Sequence, residues 1–388
     1  MTDPRAGLRD RLVGRQAGRE SAARSYARTL PIAPVRAAGA TVTGADGRTY
    51  LDCLSGAGSL ALGHNHPRVI AALRATLDSG APLHALDLIT PEKDAFSTEL
   101  LGRLPGGLRD RARLHFCGPA GTDAVEAALK LARLATGRSG VVAFTGAYHG
   151  MTRGAAGVSG TARVRAAAGA GGDAVLRLPF PYDYRCPFGV GAPDSARLST
   201  TLLARMLDDP AGGAGRPGAL IVEVVQGEGG VLPAPDAWLH TVRRITEERG
   251  IVLVVDEVQT GVGRTGSYWA CERAGVTPDV LVTAKAVGGG LPLAVIAYRP
   301  ELDSWLPGDH TGTFRGDTLA MVAGRVTLRL VAEEGLVERA LTVGSVLADG
   351  LRALAAEHPV IGDVRGRGLM LGAEIVDPAA GPDELGAR

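Results

Sequence analysis

The chain has 388 residues, a formal net charge of +1 and a hydrophobic content of 45%. This length can bury a large core and predicts about two or three structural units. The near-neutral charge argues against a nucleic-acid-binding protein, which usually shows a basic patch or stripe. No apolar run approaches the length of a membrane span, and the four cysteines include no CxxC pair. We therefore expect a cytoplasmic protein with no membrane partner, no nucleic-acid partner and no metal site.

The N-terminal region predicts a helix followed by a hairpin. Residues 1–28 are charged, rich in arginine and without the apolar stretch of a secretory signal, so they predict a helical arm. Residues 34–54 predict a β-hairpin that turns at Asp46-Gly47, because Asp-Gly between apolar runs is a strong turn signal.

Helices alternate with short strands between about residues 65 and 300. Val-rich runs such as IVLVVDEV and DVLVTAK lie between stretches of helical periodicity, which is the pattern of a parallel sheet covered by helices on both faces. The Gly- and Ala-rich residues 154–176 predict a loop. We expect an α/β fold with a large domain and a smaller α+β domain built from both termini. The expected bounds are 1–60 for the N-terminal arm and part of the small domain, 61–305 for the large domain and 306–388 for the C-terminal small domain.

Lysine is rare in this chain, because only Lys93, Lys130 and Lys285 occur among the 42 basic residues. Arginine stays charged, whereas lysine can lose its proton and form a Schiff base, so a chain that avoids lysine keeps one where arginine cannot replace it. Lys93 lies in a polar stretch and Lys130 in a helical pattern, where a surface role is the default. Lys285 ends a strand that leads into a glycine cluster, which favours a chemical role.

Asp256 closes the apolar run IVLVVD, and Lys285 closes the next run, DVLVTAK. Ligands of open parallel sheets bind beyond the carboxyl ends of the strands. Pyridoxal 5'-phosphate (PLP) requires an aspartate that keeps its pyridine nitrogen protonated and a lysine that binds it covalently. A helix cap at Asp256 or a simple buried salt bridge would use the same two residues. The pair alone therefore leaves these alternatives open.

A glycine-rich turn leads from a strand into a helix N-terminus in the segment FCGPAGTDAVEAALK. Backbone N–H groups and the helix dipole favour a phosphate dianion there, and Thr122 adds a hydroxyl. An ordinary N-capped helix is the alternative. GVGRTG at 261–266 matches the dinucleotide pattern GxGxxG, but four residues separate it from the preceding strand, which disfavours a dinucleotide site. The adjacent Tyr148 and His149 fit a base or a stacking pair, with simple packing as the alternative.

Eight segments spread along the chain form a recognisable series. They are GHNHP (63–67), AGTDAVEAALKLAR (120–133), AYHGMT (147–152), EVVQGEGG (223–230), DEVQTGVGRTG (256–266), AKAVGGGLP (284–292), GTFRG (312–316) and RGRGLM (365–370). In this order they resemble the class III aminotransferases, a PLP-dependent family of fold type I. Two further segments, ESAARSYARTLP and PGDHTGTFRGD, are similar to the diaminobutyrate–2-oxoglutarate aminotransferases within that family.

The resemblance implies roles for several residues around the cofactor. Lys285 would bind PLP covalently and shuttle the proton between substrate and cofactor carbons, while Asp256 pairs with the pyridine nitrogen. Gln259 would hydrogen-bond the ring hydroxyl, and Tyr148 would stack on the ring. The remaining implied cofactor ligands are Gly121 and Thr122 at the phosphate and Thr313, which would reach the phosphate of the neighbouring subunit in a homodimer with shared sites.

The resemblance also implies a substrate class. Glu223 and Glu228 belong to the segment that lines the pocket, and Glu228 resembles a gate glutamate that pairs with a substrate-binding arginine. The implied partners are a small amino donor and an aldehyde or keto-acid acceptor, namely L-glutamate and L-aspartate 4-semialdehyde. The alternatives are another ω-aminotransferase, acting on 4-aminobutyrate, ornithine or a secondary-metabolite amine, and a PLP-binding protein with impaired catalysis.

The C-terminal region departs from the family pattern. The substrate-binding arginine normally lies in a later segment ending in an RxxPPL-like strand, and this sequence reaches Arg388 without it. We expect either an incomplete C-terminal domain or a different means of binding the glutamate carboxylate. Arg315 and Arg367 are the candidate substitutes.

Overall fold

A computed structural model describes residues 4–170, 174–211 and 215–378 of the protein. The C-terminal end of the predicted small domain, residues 379–388, lies outside the described residues. Within the described ranges, no helix combines the length and the apolar character needed to cross a bilayer. The α-helices span Pro4–Arg19, Tyr26–Thr29, Ser55–Gly58, Pro67–Asp78, Pro91–Arg103, Gly121–Thr136, Arg153–Gly157, Ala162–Ala167, Asp194–Asp208, Asp236–Glu248, Thr318–Glu333 and Leu336–Glu357.

The described residues also contain four short 3-10 helices, three small sheets and one large sheet. The 3-10 helices are Gly106–Leu108, Ala270–Ala274, Lys285–Gly288 and Pro300–Leu302. The small sheets consist of Pro34–Ala38, Thr41–Gly44 and Thr49–Leu51, of Val225–Gln226 and Leu232–Pro233, and of Ile361–Arg367 and Met370–Ile375.

The predicted N-terminal hairpin is confirmed at its turn and has one more strand than expected. Gly47 adopts a φ of 77° and donates its N–H to the carbonyl of Gly44, which closes the turn at Asp46-Gly47. The first predicted strand breaks at Gly39, whose φ is 56°. The sheet therefore has three antiparallel strands, because the chain reverses at Gly39 as well as at Gly47.

The prediction of a mostly parallel sheet is confirmed by a seven-stranded sheet at the centre of the fold. Six strands point the same way, and Val295–Tyr298 runs antiparallel to both of its neighbours. In spatial order the strands are Arg113–Phe116, Val295–Tyr298, Val280–Thr283, Val252–Asp256, Ala219–Glu223, Val141–Phe144 and Val175–Leu178.

The continuous apolar strands arise because both faces of the sheet are covered. Side chains alternate between the two faces along a strand. In the strand Val252–Asp256, Leu253 and Val255 pack in the same layer as Trp238. Val252 and Val254 pack in the opposite layer with the helix Gly121–Thr136. Neither face is left to solvent, so polar residues are excluded until Asp256 at the strand end.

The loop predicted over residues 154–176 contains regular structure. Helices cover Arg153–Gly157 and Ala162–Ala167, and a strand begins at Val175. Alanine is the strongest helix former and glycine one of the weakest, so the alanines in this segment allow two short helices. Residues 171–173 within it lie outside the described residues.

The long helix Thr318–Glu333 supports the turn that carries Lys285. A Cβ added at Gly324 would lie 3.0 Å from a ring carbon of Phe96 and would overlap the carbonyl oxygen of Val287. A Cβ added at Gly289 would lie 2.5 Å from the carbonyl oxygen of Ala323. The helix backbone therefore touches the backbone of Lys285–Gly288 directly.

We expect Gly324→Ala to destabilise the protein by about 1–3 kcal/mol, because the new methyl group has no room against Val287. The matched control is Gly350→Ala, on the exposed face of the helix Leu336–Glu357, where nothing lies within 4 Å of the added Cβ. That change should stabilise the protein by up to about 1 kcal/mol through helix propensity. Denaturant unfolding measures both. Equal free energies of unfolding for the two variants would contradict the close packing.

Candidate active site

Three ionisable residues meet at the carboxyl edge of the central sheet. Asp256 is opposite Glu223 on one neighbouring strand and opposite Val282 on the other. Lys285 follows the strand Val280–Thr283 by two residues. The prediction that Asp256 and Lys285 end neighbouring parallel strands is confirmed.

Lys285 is held in an unusual backbone conformation inside a partly buried site. Its φ is 51°, in the left-handed region that residues with a Cβ rarely adopt and that clusters at functional sites. Burial lowers the pKa of the Lys285 ammonium, and the negative charges of Asp256, Glu228 and Glu223 oppose this shift only in part. A lowered pKa increases the fraction of neutral amine, which is the nucleophilic form of lysine.

Asp256 forms a buried pair with His149. Its Oδ2 lies 2.8 Å from His149 Nδ1, and its Oδ1 accepts a 3.0 Å hydrogen bond from the backbone N–H of Val258. Burial alone would lower the pKa of His149, but the hydrogen bond and charge of Asp256, together with the charge of Glu223, raise it. His149 and the Val258 amide thus give both oxygens of the buried Asp256 carboxyl group a polar partner. His149 Nε2 is buried and has no partner among the described residues.

Glu223 connects the loop that contains Tyr148 with the loop that contains Gly227. It is buried, and its oxygens accept hydrogen bonds from the backbone N–H of Tyr148 at 2.9 Å and of Gly227 at 3.0 Å. Burial raises the pKa of Glu223 to about 7, helped by the charge of Asp256 and opposed by His149 and the two amides. The carboxyl group therefore fixes the backbone that carries Tyr148 as well as the backbone that leads to Glu228.

The predicted phosphate cradle lies against the strand ends. A Cβ added at Gly121 would lie 3.0 Å from Val258 Cγ1 and 3.6 Å from the Cβ of Ala284. The helix Gly121–Thr136 therefore begins between the residues that follow Asp256 and the residue that precedes Lys285. Its first-turn N–H groups and its dipole favour an anion at this point.

Thr122 connects the cradle to the segment that carries Tyr148. Its Oγ1 lies 2.7 Å from Thr152 Oγ1, which in turn donates a 2.6 Å hydrogen bond to Glu126 Oε1. Gly150 has a φ of 127°, and an added Cβ would overlap Thr122 Oγ1. Residue 150 must be glycine for this approach, so the segment and the cradle are in direct contact.

Gln259 and Glu228 lie near Lys285, and Tyr148 lies near Glu228. A Cβ added at Gly58 would lie 3.8 Å from Gln259 Cγ and 4.0 Å from Lys285 Cδ, so both side chains approach the backbone of Gly58. Glu228 is exposed, and its charge acts on both Lys285 and Tyr148. Burial and the charge of Glu228 raise the pKa of Tyr148.

Thr313 lies apart from the other predicted site residues. It is exposed, and it lines a cavity of about 540 Å³ together with Trp305, His310 and Arg315. None of the other predicted cofactor residues lines this cavity. Within one chain, the structure therefore groups Gly121, Thr122, Tyr148, Asp256, Gln259 and Lys285 and leaves Thr313 outside the group.

Both candidate substitutes for the carboxylate-binding arginine are engaged elsewhere. Arg315 donates to the carbonyl oxygen of Thr311 at 2.5 Å and lies 2.8 Å from His115 Nε2. Arg367 donates to Asp236 Oδ1 at 3.1 Å, and its Nη1 is buried without a partner among the described residues. None of these contacts involves Lys285.

Comparison with known proteins identifies the family. The family described as "Aminotransferase class-III" matches residues 21–385. The chain belongs to the class III aminotransferases. It is 57% identical to a diaminobutyrate–2-oxoglutarate aminotransferase of Rhizobium meliloti over 96% of this chain and 80% of that protein. It is 48% identical to one of Haemophilus influenzae over 97% of this chain and 82% of that protein.

Solved structures agree with this assignment. An (S)-enantioselective omega-transaminase from Thermomicrobium roseum superposes with a TM-score of 0.85 at 27% identity, covering 94% of this chain and 84% of the other. A PLP-bound amine transaminase from an uncultivated Pseudomonas species superposes with a TM-score of 0.83 at 30% identity, covering 92% and 83%. The expected fold type I architecture of PLP-dependent transaminases is confirmed.

The class III aminotransferase site fits PLP, and the chain is a PLP-dependent transaminase. The N-terminus of the helix Gly121–Thr136 suits the phosphate, the buried Asp256 with its His149 partner suits the pyridine nitrogen, and Lys285 suits covalent attachment. When bound, PLP supplies an electron-withdrawing ring that stabilises negative charge on a substrate carbon. The chain supplies an anchored aspartate, a phosphate cradle and an amine that can take and return a proton.

Sequence reasoning left His149 between packing and chemistry, and it missed Gly58. His149 is 107 positions from Asp256 along the chain, so no local pattern could place the two together. Gly58 lies in the segment LSGAGS, where four glycine and serine residues mark a loop without indicating what the loop approaches. The repeated glycines were the one available signal, because close approach of a backbone to a ligand or side chain favours glycine.

The three lysines allow a direct test of covalent attachment. We expect borohydride treatment of the PLP-loaded protein to attach the cofactor to the peptide that contains Lys285, because this partly buried amine lies near Asp256 and has a lowered pKa. Peptide mass spectrometry reads the position. Lys93→Ala and Lys130→Ala are matched controls that should retain the label, whereas Lys285→Ala should lose it. Labelling of the Lys285→Ala protein at another lysine would refute the assignment.

Proposed function

We propose that this transaminase moves an amino group from L-glutamate to the aldehyde of L-aspartate 4-semialdehyde, forming L-2,4-diaminobutyrate and 2-oxoglutarate. The observation that carries the proposal is the 57% identity, over 96% of the chain, to a Rhizobium meliloti protein named for diaminobutyrate and 2-oxoglutarate. Six further relatives that are 38–48% identical carry the same activity in their names.

The charge distribution around Lys285 supports this substrate class. Diaminobutyrate carries a second ammonium group besides the amine that reacts. Glu228 is exposed and lies close enough for its charge to act on Lys285, so it can pair with that second ammonium group. The neutral form of Lys285 Nζ is the base that takes the proton from the substrate carbon and returns it to the cofactor side.

Purified enzyme supplied with PLP, L-glutamate and L-aspartate 4-semialdehyde should form diaminobutyrate, measured by mass spectrometry. Glu228→Gln should raise the KM for diaminobutyrate in the reverse reaction about tenfold, because a charge-assisted hydrogen bond is lost. The KM for a monoamine donor such as 4-aminobutyrate should change less than twofold. Turnover of 4-aminobutyrate or ornithine without diaminobutyrate formation would show that the enzyme acts on another class of amine. PLP binding with no turnover of any donor would indicate impaired catalysis.

We further propose that the enzyme acts as a homodimer in which Thr313 completes the site of the partner. Thr313 lines a cavity that Lys285 does not line, and several large apolar side chains border that cavity. Leu86 and Leu306 line the same cavity, and Phe314 beside it is 71% exposed. A second copy of the chain would bury this surface.

We also propose a cytoplasmic location. The four cysteines lie far apart in the sequence and include no CxxC pair, which fits free thiols in a reducing compartment.

Hybrid dimers test the shared site. A Lys285→Ala subunit paired with a Thr313→Ala subunit contains one site with both native residues if Thr313 acts across the interface. We expect such a hybrid, purified with two different tags, to recover about half of the wild-type rate, since one of two symmetric sites is complete. Each homodimeric variant serves as a control. A hybrid no more active than the Thr313→Ala homodimer would show that Thr313 does not act in the partner's site.

A further inference from the structure

The strands Val225–Gln226 and Leu232–Pro233 form a hairpin whose loop carries Glu228, and the backbone of this loop is tightly constrained. The N–H groups of Gly230 and Val231 both donate to the carbonyl oxygen of Gly227 at 3.1 Å. Gly230 has a φ of 113°, and Val231, which has a Cβ, has a φ of 57°. A residue such as valine adopts a left-handed conformation only where surrounding contacts hold it there. The position of the Glu228 carboxylate therefore depends on what holds this hairpin.

The beginning of the hairpin is held by the large sheet. Glu223 accepts the N–H of Gly227 at 3.0 Å. A Cβ added at Gly229 would lie 2.5 Å from the carbonyl oxygen of Gly146, so the hairpin touches the segment before Tyr148. These contacts fix one side of the Glu228 loop.

The end of the hairpin is held by Arg365 on the strand Ile361–Arg367. Its Nε donates a 2.8 Å hydrogen bond to the carbonyl oxygen of Gly230. A Cβ added at Gly372, on the paired strand, would lie 3.1 Å from the Cβ of Val231. The two-stranded sheet therefore packs directly against the residues that follow Glu228.

Arg365 is itself held by a compact network. Its Nη1 donates to Asp363 Oδ2 at 2.9 Å and to Glu374 Oε2 at 2.8 Å, and its guanidinium lies 5.0 Å from the ring centre of Tyr182. Glu374 also accepts hydrogen bonds from Tyr182 and Arg185. Only 14% of the Arg365 side chain is exposed. The guanidinium thus has a single orientation, with its Nε directed at Gly230.

We propose that Arg365 is a positioning residue that sets the location of the Glu228 carboxylate and thereby the affinity for substrates with a second ammonium group. The proposal deepens the proposed function, since it rests on Glu228 contacting that group. Arg365 acts through the backbone of Gly230 and has no contact with the reacting atoms. A guanidinium is required because its planar fork can donate to a carbonyl and to two carboxylates at once.

The test variant is Arg365→Lys, which keeps a positive charge between Asp363 and Glu374 but cannot make all three contacts. We expect the KM for diaminobutyrate to rise about fivefold to tenfold with kcat within twofold of wild type, since one hydrogen bond that positions Glu228 is lost. Hydrogen exchange of the amides of residues 227–231 in the cofactor-free protein should become faster. The matched control, Arg185→Lys, alters the Glu374 contact of the same network and keeps the Arg365–Gly230 hydrogen bond, so it should change neither quantity.

A double-variant cycle separates positioning from simple structural support. In the Glu228→Gln background, Arg365→Lys should add less than twofold to the KM for diaminobutyrate, because its effect passes through the Glu228 carboxylate. An equal effect in both backgrounds, or unchanged hydrogen exchange at 227–231, would overturn the proposal. A wild-type enzyme that prefers another amine would refute the proposed substrate instead. In that case the double-variant cycle is repeated with the preferred amine as substrate. The hydrogen-exchange measurement does not depend on the choice of substrate.

Discussion

The buried negative charge of Asp256 is the constraint on which the active site depends. A carboxylate out of water is unfavourable unless it is paired and hydrogen-bonded. Asp256 obtains both conditions from His149 and from the backbone N–H of Val258. His149 can serve only if its own segment is held against the sheet edge, and Ser159 and Glu223 provide that support through backbone amides. One strand-end charge therefore determines where a whole neighbouring segment lies.

Close backbone contacts explain why the functional segments are so rich in glycine. Gly121 leaves room for the helix start to approach Val258, and Gly150 allows the Tyr148 segment to touch Thr122. Gly227 lies against the side-chain amide of Gln259, where an added Cβ would overlap the oxygen. Each of these glycines joins two different segments around Lys285. Their number reflects how many backbones converge on one small volume, rather than a need for flexibility.

The two sides of the site have different supports. The cofactor side rests on the rigid parallel sheet, whose strand ends carry Asp256 and lead to Lys285. The side that carries Glu228 is a short hairpin pinned between Glu223 and Arg365. The hairpin therefore connects the chemistry at the sheet edge with the C-terminal strand pair.

The sequence by itself determined the parts of this protein that depend on local patterns. Continuous apolar runs ending in Asp256 and near Lys285 predicted neighbouring parallel strands, because buried strands exclude polar residues until they reach the sheet edge. The rarity of lysine singled out Lys285, and the Asp46-Gly47 turn followed from backbone preferences. These features are local, so neighbouring residues were sufficient to predict them.

Only the tertiary structure decided which distant residues meet. His149 and Asp256 are 107 positions apart, and Arg365 and Gly230 are 135 apart, so each contact depends on the packing of separate elements. The antiparallel direction of Val295–Tyr298 and the separation of Thr313 from the other site residues are likewise properties of the assembled chain. A local pattern specifies whether a segment forms a helix, a strand or a turn. The packing of the whole core determines which segments become neighbours, and it therefore brings together residues that no local pattern connects.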